Sequence, residues 1–103
     1  MNKVRKGNYY RLKTKKWYES KGYLVEIIEH SGRYSKGDIW GSDLIAKNES
    51  ELIFIQCKSN KVDISSGKKE LLSTIWPPYI KLQVIYWKSY AKEPTVVEVN
   101  PSS

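Results

Sequence analysis

Two short apolar runs, joined by a polar link, dominate the middle of the chain. The first covers residues 44–46, directly after Asp43, and the second covers residues 52–58 and includes Gln56 and Lys58. Runs of this length that are rich in Leu, Ile and Phe predict two β-strands, and the link between them predicts a hairpin. The link contains no Asn-Gly pair, so the pattern leaves the type of turn open.

The N-terminal segment has the periodicity of a helix. Four side chains recur at the spacing of one helix face: Tyr10, Thr14, Trp17 and Tyr18. Asn8 is a suitable N-cap, and Lys21 followed by a glycine suits a helix end, so we predict a helix over residues 8–21. Residues 1–7 before it are predicted to form a flexible basic arm.

The same apolar periodicity predicts the remaining strands and helix. Residues 23–29 are apolar on both faces of a strand, which is typical of a sheet covered on both sides. Residues 68–75 predict a short helix, with Ser65 or Ser66 as its N-cap. Residues 80–87 alternate as a strand. Residues 95–99, within a tail over 90–103, predict an edge strand or a dimer contact. The order α-β-β-β-α-β predicts an α/β fold with a mixed β-sheet flanked by helices.

Length and composition limit the possible classes of protein. A chain of 103 residues forms one domain with a modest core. No apolar run approaches the roughly 20 residues of a membrane span, and no apolar signal region follows the basic N-terminus. A single cysteine cannot form an internal disulfide, which fits a reducing interior. We therefore expect a cytoplasmic protein, which would act inside the host cell if it is viral.

The net charge of +7 is concentrated at one end of the chain. Residues 1–21 contain eight basic side chains against Glu19 alone, whereas residues 22–103 contain ten basic and ten acidic ones. Such a basic block suits contacts with a phosphate backbone, although a solvated lysine surface is the simpler alternative. The candidate DNA-binding residues are Arg5, Lys6, Arg11, Lys13, Lys15, Lys16, and in a later polar loop Arg33 and Lys36.

The hairpin also carries a possible catalytic group. Alternate residues of a strand share a face, so Gln56 and Lys58 point one way and Cys57 points the other. If the two strands pair, Asp43 reaches the same patch as Gln56 and Lys58. Carboxylate and amide oxygens suit Mg²⁺, and a nearby lysine can orient water or balance phosphate charge. These residue types predict metal-assisted hydrolysis of phosphodiester bonds.

The arrangement resembles the PD-(D/E)XK nuclease superfamily. The matching residues are Ser42-Asp43 and, thirteen positions after Asp43, Gln56-Cys57-Lys58. The chain looks most like small archaeal and viral Holliday-junction-resolvase-like nucleases and phage nucleases with a Gln-X-Lys variant, over roughly residues 6–88.

That resemblance implies a restriction-endonuclease-like core and a homodimer that cleaves branched or duplex DNA with Mg²⁺ or Mn²⁺. It implies that Asp43, Gln56 and the Cys57 backbone carbonyl bind the metal and that Lys58 acts on the attacking water.

Departures from the family pattern keep other functions open. The family often has a glutamate early in the first helix, which is missing here, and Glu19 or Glu26 could substitute for it. The second loop carboxylate, Asp38, is an accessory candidate that could position the loop or bind the metal through water. Gln56 supplies a neutral oxygen where most relatives have a carboxylate, which should weaken metal binding. One alternative is a catalytically inactive nucleic-acid-binding module with a nuclease fold. Another is a basic protein whose Tyr and Trp residues bind another protein.

Overall fold

The chain folds into a five-stranded sheet with two helices over the residues described. The computed structural model describes the backbone of residues 3–28 and 40–100, with side chains from residue 9 onward. The elements follow in the order α1 (Lys3–Glu19), β1 (Leu24–Ile27), β2 (Leu44–Lys47), β3 (Leu52–Lys58), α2 (Ile64–Leu71), β4 (Lys81–Tyr86) and β5 (Thr95–Val99). The predicted α/β fold with a mixed sheet flanked by helices is therefore confirmed.

The strands lie in the same order in the sheet as in the chain. Neighbouring strands are antiparallel except β3 and β4, which run parallel with Lys58 opposite Tyr86. A parallel pair needs a crossover connection, and α2 lies within it. The start of β2 and the ends of β3 and β4 consequently meet at one end of the sheet, here called the Asp43 end. The opposite end, with the β2–β3 turn, is called the Glu51 end.

The two helices cover opposite faces of the sheet. Helix α1 packs Tyr18 against a buried cluster that includes Leu44, Ile55 and Ile85. On the other face, Leu71 of α2 packs into a cluster formed by Phe54, Leu71, Leu82, Val84 and Val99. The four-residue face predicted for α1 is found, because Thr14 and Tyr18 are buried and Tyr10 and Trp17 are partly buried.

Helix α1 is longer than predicted. It begins at Lys3, so Asn8 lies inside the helix and is not its N-cap, and residues 3–7 are helical where we expected an arm. A glycine inside a helix costs only about 1 kcal/mol relative to alanine, so Gly7 does not prevent the helix from extending through it.

Helix α2 is shifted toward the N-terminus relative to the prediction. It covers Ile64–Leu71, follows a turn of 3₁₀ helix over Lys61–Asp63, and has no side-chain cap. Gly67 and Leu71 are its buried residues, whereas Ile75, predicted to pack on the sheet, is almost fully exposed. The apolar periodicity placed this helix too far toward the C-terminus, because the buried Gly67 has no apolar side chain to indicate the buried face.

The last strand lies at the edge of the sheet. Strand β5 pairs antiparallel with β4, so residues 95–99 form the predicted edge strand.

Neither helix could span a membrane. Within residues 3–28 and 40–100, no helix is long and apolar enough to cross one.

Candidate active site

Asp43 is held by backbone hydrogen bonds between β1 and β3. Its N–H donates to the Ile55 carbonyl at 2.7 Å, and its carbonyl accepts from the Ile28 N–H at 2.9 Å. The carboxylate accepts from the Cys57 N–H at 3.3 Å and lies 3.9 Å from the Arg11 guanidinium. The residue is 7% exposed, so its carboxylate sits in a largely buried position at the Asp43 end.

Burial dominates the electrostatics of this carboxylate. Loss of hydration raises the pKa of Asp43 to about 6, even though the Arg11 charge, the Cys57 N–H and the Lys58 charge all favour the ionised form. The negative charge of Glu70 acts in the same direction as burial. The ionised carboxylate is therefore incompletely compensated by the protein, as is common for groups that bind or react.

Gln56 and Lys58 share the face of β3 that lies under α2, as the two-residue period predicts. The Gln56 side-chain N–H₂ donates to the Gly41 carbonyl at 2.7 Å and to the Glu70 carboxylate. The Lys58 ammonium donates to the other Glu70 oxygen at 3.1 Å. Glu70 thus bridges the two predicted catalytic residues of β3.

Cys57 points to the opposite face, toward α1. Its sulfur lies 3.4 Å from the Thr14 hydroxyl, and burial raises the pKa of the thiol to about 11. A thiol with so high a pKa is almost entirely protonated near neutral pH and is a poor nucleophile. The side chain therefore belongs to the core, and only the backbone of Cys57 faces the site through its N–H bond to Asp43.

Gly67 allows α2 to lie close to β3. A Cβ at this position would stand 3.3 Å from the Gln56 and Lys58 side chains and 3.2 Å from Val84. Glu70 follows Gly67 by three residues, which brings it to the same side of the helix. The small residue therefore sets the distance at which Glu70 meets Gln56 and Lys58.

Gly41 fixes the turn before Asp43 against the same helix. Its φ is +80°, and a Cβ there would stand 2.3 Å from the Glu70 backbone oxygen. Only glycine accepts both this backbone conformation and this contact without strain. Through Gly41, the turn that leads into Asp43 and the helix that carries Glu70 form one packed unit.

Glu70 is the site residue that sequence reasoning missed. It belongs to no part of the Asp…Gln-X-Lys pattern, and the helix was predicted four residues too late. The only signal in the sequence was its position three residues after Gly67 and next to the buried Leu71.

The donor groups have the chemistry of a magnesium site. Asp43 and Glu70 offer carboxylate oxygens, and Gln56 offers an amide oxygen, all of them hard ligands. Over the described part of the chain, no group of three or more His, Cys, Asp or Glu side chains is arranged to hold a metal. Magnesium is usually held by only one or two carboxylates together with water and substrate phosphates, so two carboxylates fit this cation.

The predicted DNA-binding residues have different surroundings. Arg11 lies beside Asp43, and Lys13 donates to the Ala91 carbonyl at 3.1 Å while its ammonium stands over the Trp87 ring. Lys16 is exposed and Lys15 partly so. Arg5 and Lys6 are on α1, but their side chains lie outside the described residues, as do Arg33, Lys36 and Asp38 altogether. Lys13 therefore has a structural contact that the sequence did not indicate.

The accessory candidate Glu26 is exposed on β1, opposite Ile45 of β2. No described contact joins it to Asp43, Gln56 or Lys58, so its suggested role stays a prediction.

Comparison with known proteins returned no match. No family model matches the sequence, no curated protein is significantly similar to it, and no solved structure matches the fold. The interpretation of the site therefore depends on its own geometry and chemistry.

Proposed function

We propose that the protein is a metal-dependent DNA endonuclease of the PD-(D/E)XK type. The observation that carries the proposal is the convergence of Asp43, Gln56 and Lys58 with Glu70 at one end of the sheet. The element order, with β4 parallel to β3 after an intervening helix, is what a restriction-endonuclease-like core requires and supports the proposal further.

Asp43 and Glu70 would hold the cation, together with the Gln56 amide oxygen and the Cys57 backbone carbonyl. When bound, Mg²⁺ or Mn²⁺ acidifies a water molecule and neutralises charge on the scissile phosphate. Lys58 contributes a hydrogen-bond donor and a positive charge beside Glu70, which suits orienting the attacking water and balancing charge in the transition state. Asp43 has to lose its proton before it can serve as a ligand.

The DNA backbone would follow the basic surface of α1. Helix α1 comes to the Asp43 end, since Arg11 lies 3.9 Å from Asp43. Lys15 and Lys16, the N-terminal Arg5 and Lys6, and Arg33 and Lys36 are proposed to contact phosphates. The chain has no evident base-reading motif, so we propose recognition of DNA shape, with branched DNA as the preferred substrate. A homodimer would supply the two active sites needed for paired incisions.

The direct test is cleavage of labelled four-way-junction, flap and linear DNA with Mg²⁺ or Mn²⁺. Wild type should cut at least one of them, and Asp43→Ala and Lys58→Ala should not. Glu49→Ala and Lys47→Ala are matched controls, because both side chains are exposed at the Glu51 end. Absence of cleavage by wild type on every substrate in both metals would refute the nuclease proposal.

A second candidate is an inactive nucleic-acid-binding module. It is favoured by two contacts, since the Gln56 amide already donates to Glu70 and Arg11 already lies beside Asp43. Protein groups then occupy the carboxylates that a cation would need. A Gln56→Glu variant separates the two, because higher metal affinity and faster cleavage indicate a working site. Salt-dependent DNA binding without cleavage in either variant indicates the module.

A further inference from the structure

Two exposed aromatic residues have an unusual backbone conformation. Among the residues described, Trp40 (φ 51°) and Tyr90 (φ 64°) are the only non-glycine residues with positive φ. This conformation is rare for bulky side chains, and strained residues of this kind cluster at active sites and binding sites. Burial of the side chain does not offset the backbone strain at either residue, since Trp40 is 60% exposed and Tyr90 is fully exposed.

Trp40 lies on the α2 face of the sheet, in the turn that leads into Asp43. It directly precedes Gly41, whose carbonyl accepts from Gln56, and lies three residues before Asp43. The indole ring packs against the rings of Trp76 and Phe54, at 5.9 Å and 6.1 Å between centroids. One part of the indole is therefore fixed by packing, and the rest is open to solvent.

Tyr90 stands on the α1 side of the Asp43 end, in the turn that follows β4. It occupies the third position of the Lys88–Ala91 turn, where the Ala91 N–H donates to the Lys88 carbonyl at 3.1 Å and where a positive φ usually calls for glycine. Lys13 of α1 ties this turn down through the Ala91 carbonyl. Lys88 and Lys92, two positions before and after Tyr90 in the chain, are both exposed.

We propose that Trp40 and Tyr90 stack on unpaired bases, so that the nuclease prefers DNA that carries unpaired nucleotides. Stacking on an aromatic ring tolerates any base, and the flanking lysines suit the phosphates of a single strand. The assignment of these bases to a cleavage substrate rests on the proposed function, whereas the stacking itself does not require cleavage.

The test measures DNA affinity by fluorescence anisotropy in EDTA, with single-stranded, flapped and blunt duplex oligonucleotides. Tyr90→Gly removes the ring and relieves the positive φ, and Trp40→Ala and Trp40→Phe remove or reduce the other ring. Tyr79→Gly is the matched control, because Tyr79 is exposed and precedes β4 at the Glu51 end. We expect Tyr90→Gly and Trp40→Ala each to lower affinity for the single-stranded and flapped DNA about fivefold to 100-fold. Blunt duplex affinity and the Tyr79→Gly control should not change.

The inference is overturned if the ratio of single-stranded to blunt-duplex affinity is unchanged in Tyr90→Gly and Trp40→Ala, including the case in which the two affinities fall by the same factor. Should Trp40→Ala unfold, Trp40→Phe and Tyr90→Gly carry the test. Loss of single-strand preference without any wild-type cleavage would keep the inference and refute the nuclease. If wild type cleaves DNA but the variants keep the wild-type preference for single strands, the nuclease proposal stands and the stacking inference is refuted.

Discussion

The two ends of the sheet each hold a carboxylate beside a basic side chain, yet the two carboxylates behave in opposite ways. At the Glu51 end, Glu51 lies 2.6 Å from the Lys81 ammonium and accepts from the Tyr23 hydroxyl. These two hydrogen bonds lower the pKa of Glu51. At the Asp43 end, burial raises the pKa of Asp43 to about 6 despite Arg11 and Lys58.

The difference lies in what each end is built for. The Glu51 carboxylate lies near solvent, and its charge is compensated by Lys81 and Tyr23. It therefore requires no bound cation to stabilise it. The Asp43 carboxylate is removed from water and only partly compensated, so a bound cation would relieve an existing energetic cost. We therefore interpret the Glu51 end as structural and the Asp43 end as the functional one.

The largest expected effect separates two glycines, one at each end. Gly41→Ala should destabilise the protein by more than about 3 kcal/mol, because the Cβ meets the Glu70 backbone at 2.3 Å and φ is +80°. Gly22→Ala should cost only about 1–2 kcal/mol, because φ is +94° but nothing lies within 4 Å. Urea unfolding measures both. Equal losses would mean that the turn before Asp43 is not packed on α2.

The second prediction exchanges each carboxylate for its amide. Asp43→Asn should lower DNA cleavage at least about 100-fold, as loss of a metal ligand or charge-stabilising group does. Glu51→Gln should leave cleavage unchanged. Initial rates on the best substrate at saturating Mg²⁺ provide the measurement. Similar losses in both variants would remove the functional distinction between the two ends.

The pH dependence of stability gives the third prediction. The folded-state pKa of Asp43 is about 6, above its ordinary value of 3.8, so the folded protein binds the extra proton between these values. Ionisation of Asp43 should therefore reduce the free energy of unfolding by about 2 kcal/mol as pH rises from 4 to 6. Asp43→Asn should lack this component, so the difference between the two unfolding curves isolates it. A constant difference across that range would contradict the raised pKa.

Glu70 provides the fourth prediction. Glu70→Gln should reduce cleavage about tenfold or more, because a candidate metal ligand and the ion-pair partner of Lys58 are both lost. Glu49→Gln, exposed at the Glu51 end, is the matched control. The apparent Mg²⁺ requirement should rise only in the Glu70 variant. An unchanged requirement would exclude Glu70 from the metal site.

Much of this site was predictable from local pattern, and the rest was not. The apolar runs determine β2 and β3, and the two-residue period of a strand places Gln56 and Lys58 together on one face. Glu70 joins them only because α2 approaches at Gly67, and a close approach between distant segments has no periodic signal. The positive φ of Trp40 was likewise not predictable, since no residue pattern in this stretch indicates it.

The smallest expected effect tests the Glu51 end by itself. Glu51→Gln should lower the Tm by less than about 5 °C at pH 7, because a partly exposed ion pair contributes little. The pKa of Glu51 is lowered in the folded state, so its contribution is present above the ordinary pKa and is lost as pH falls through the folded one. The Tm difference from wild type should therefore shrink on acidification, opposite in direction to the Asp43 effect. Calorimetry at neutral and acidic pH measures this Tm difference. A Tm difference that grows in acid would mean that the pKa of Glu51, like that of Asp43, is raised in the folded protein.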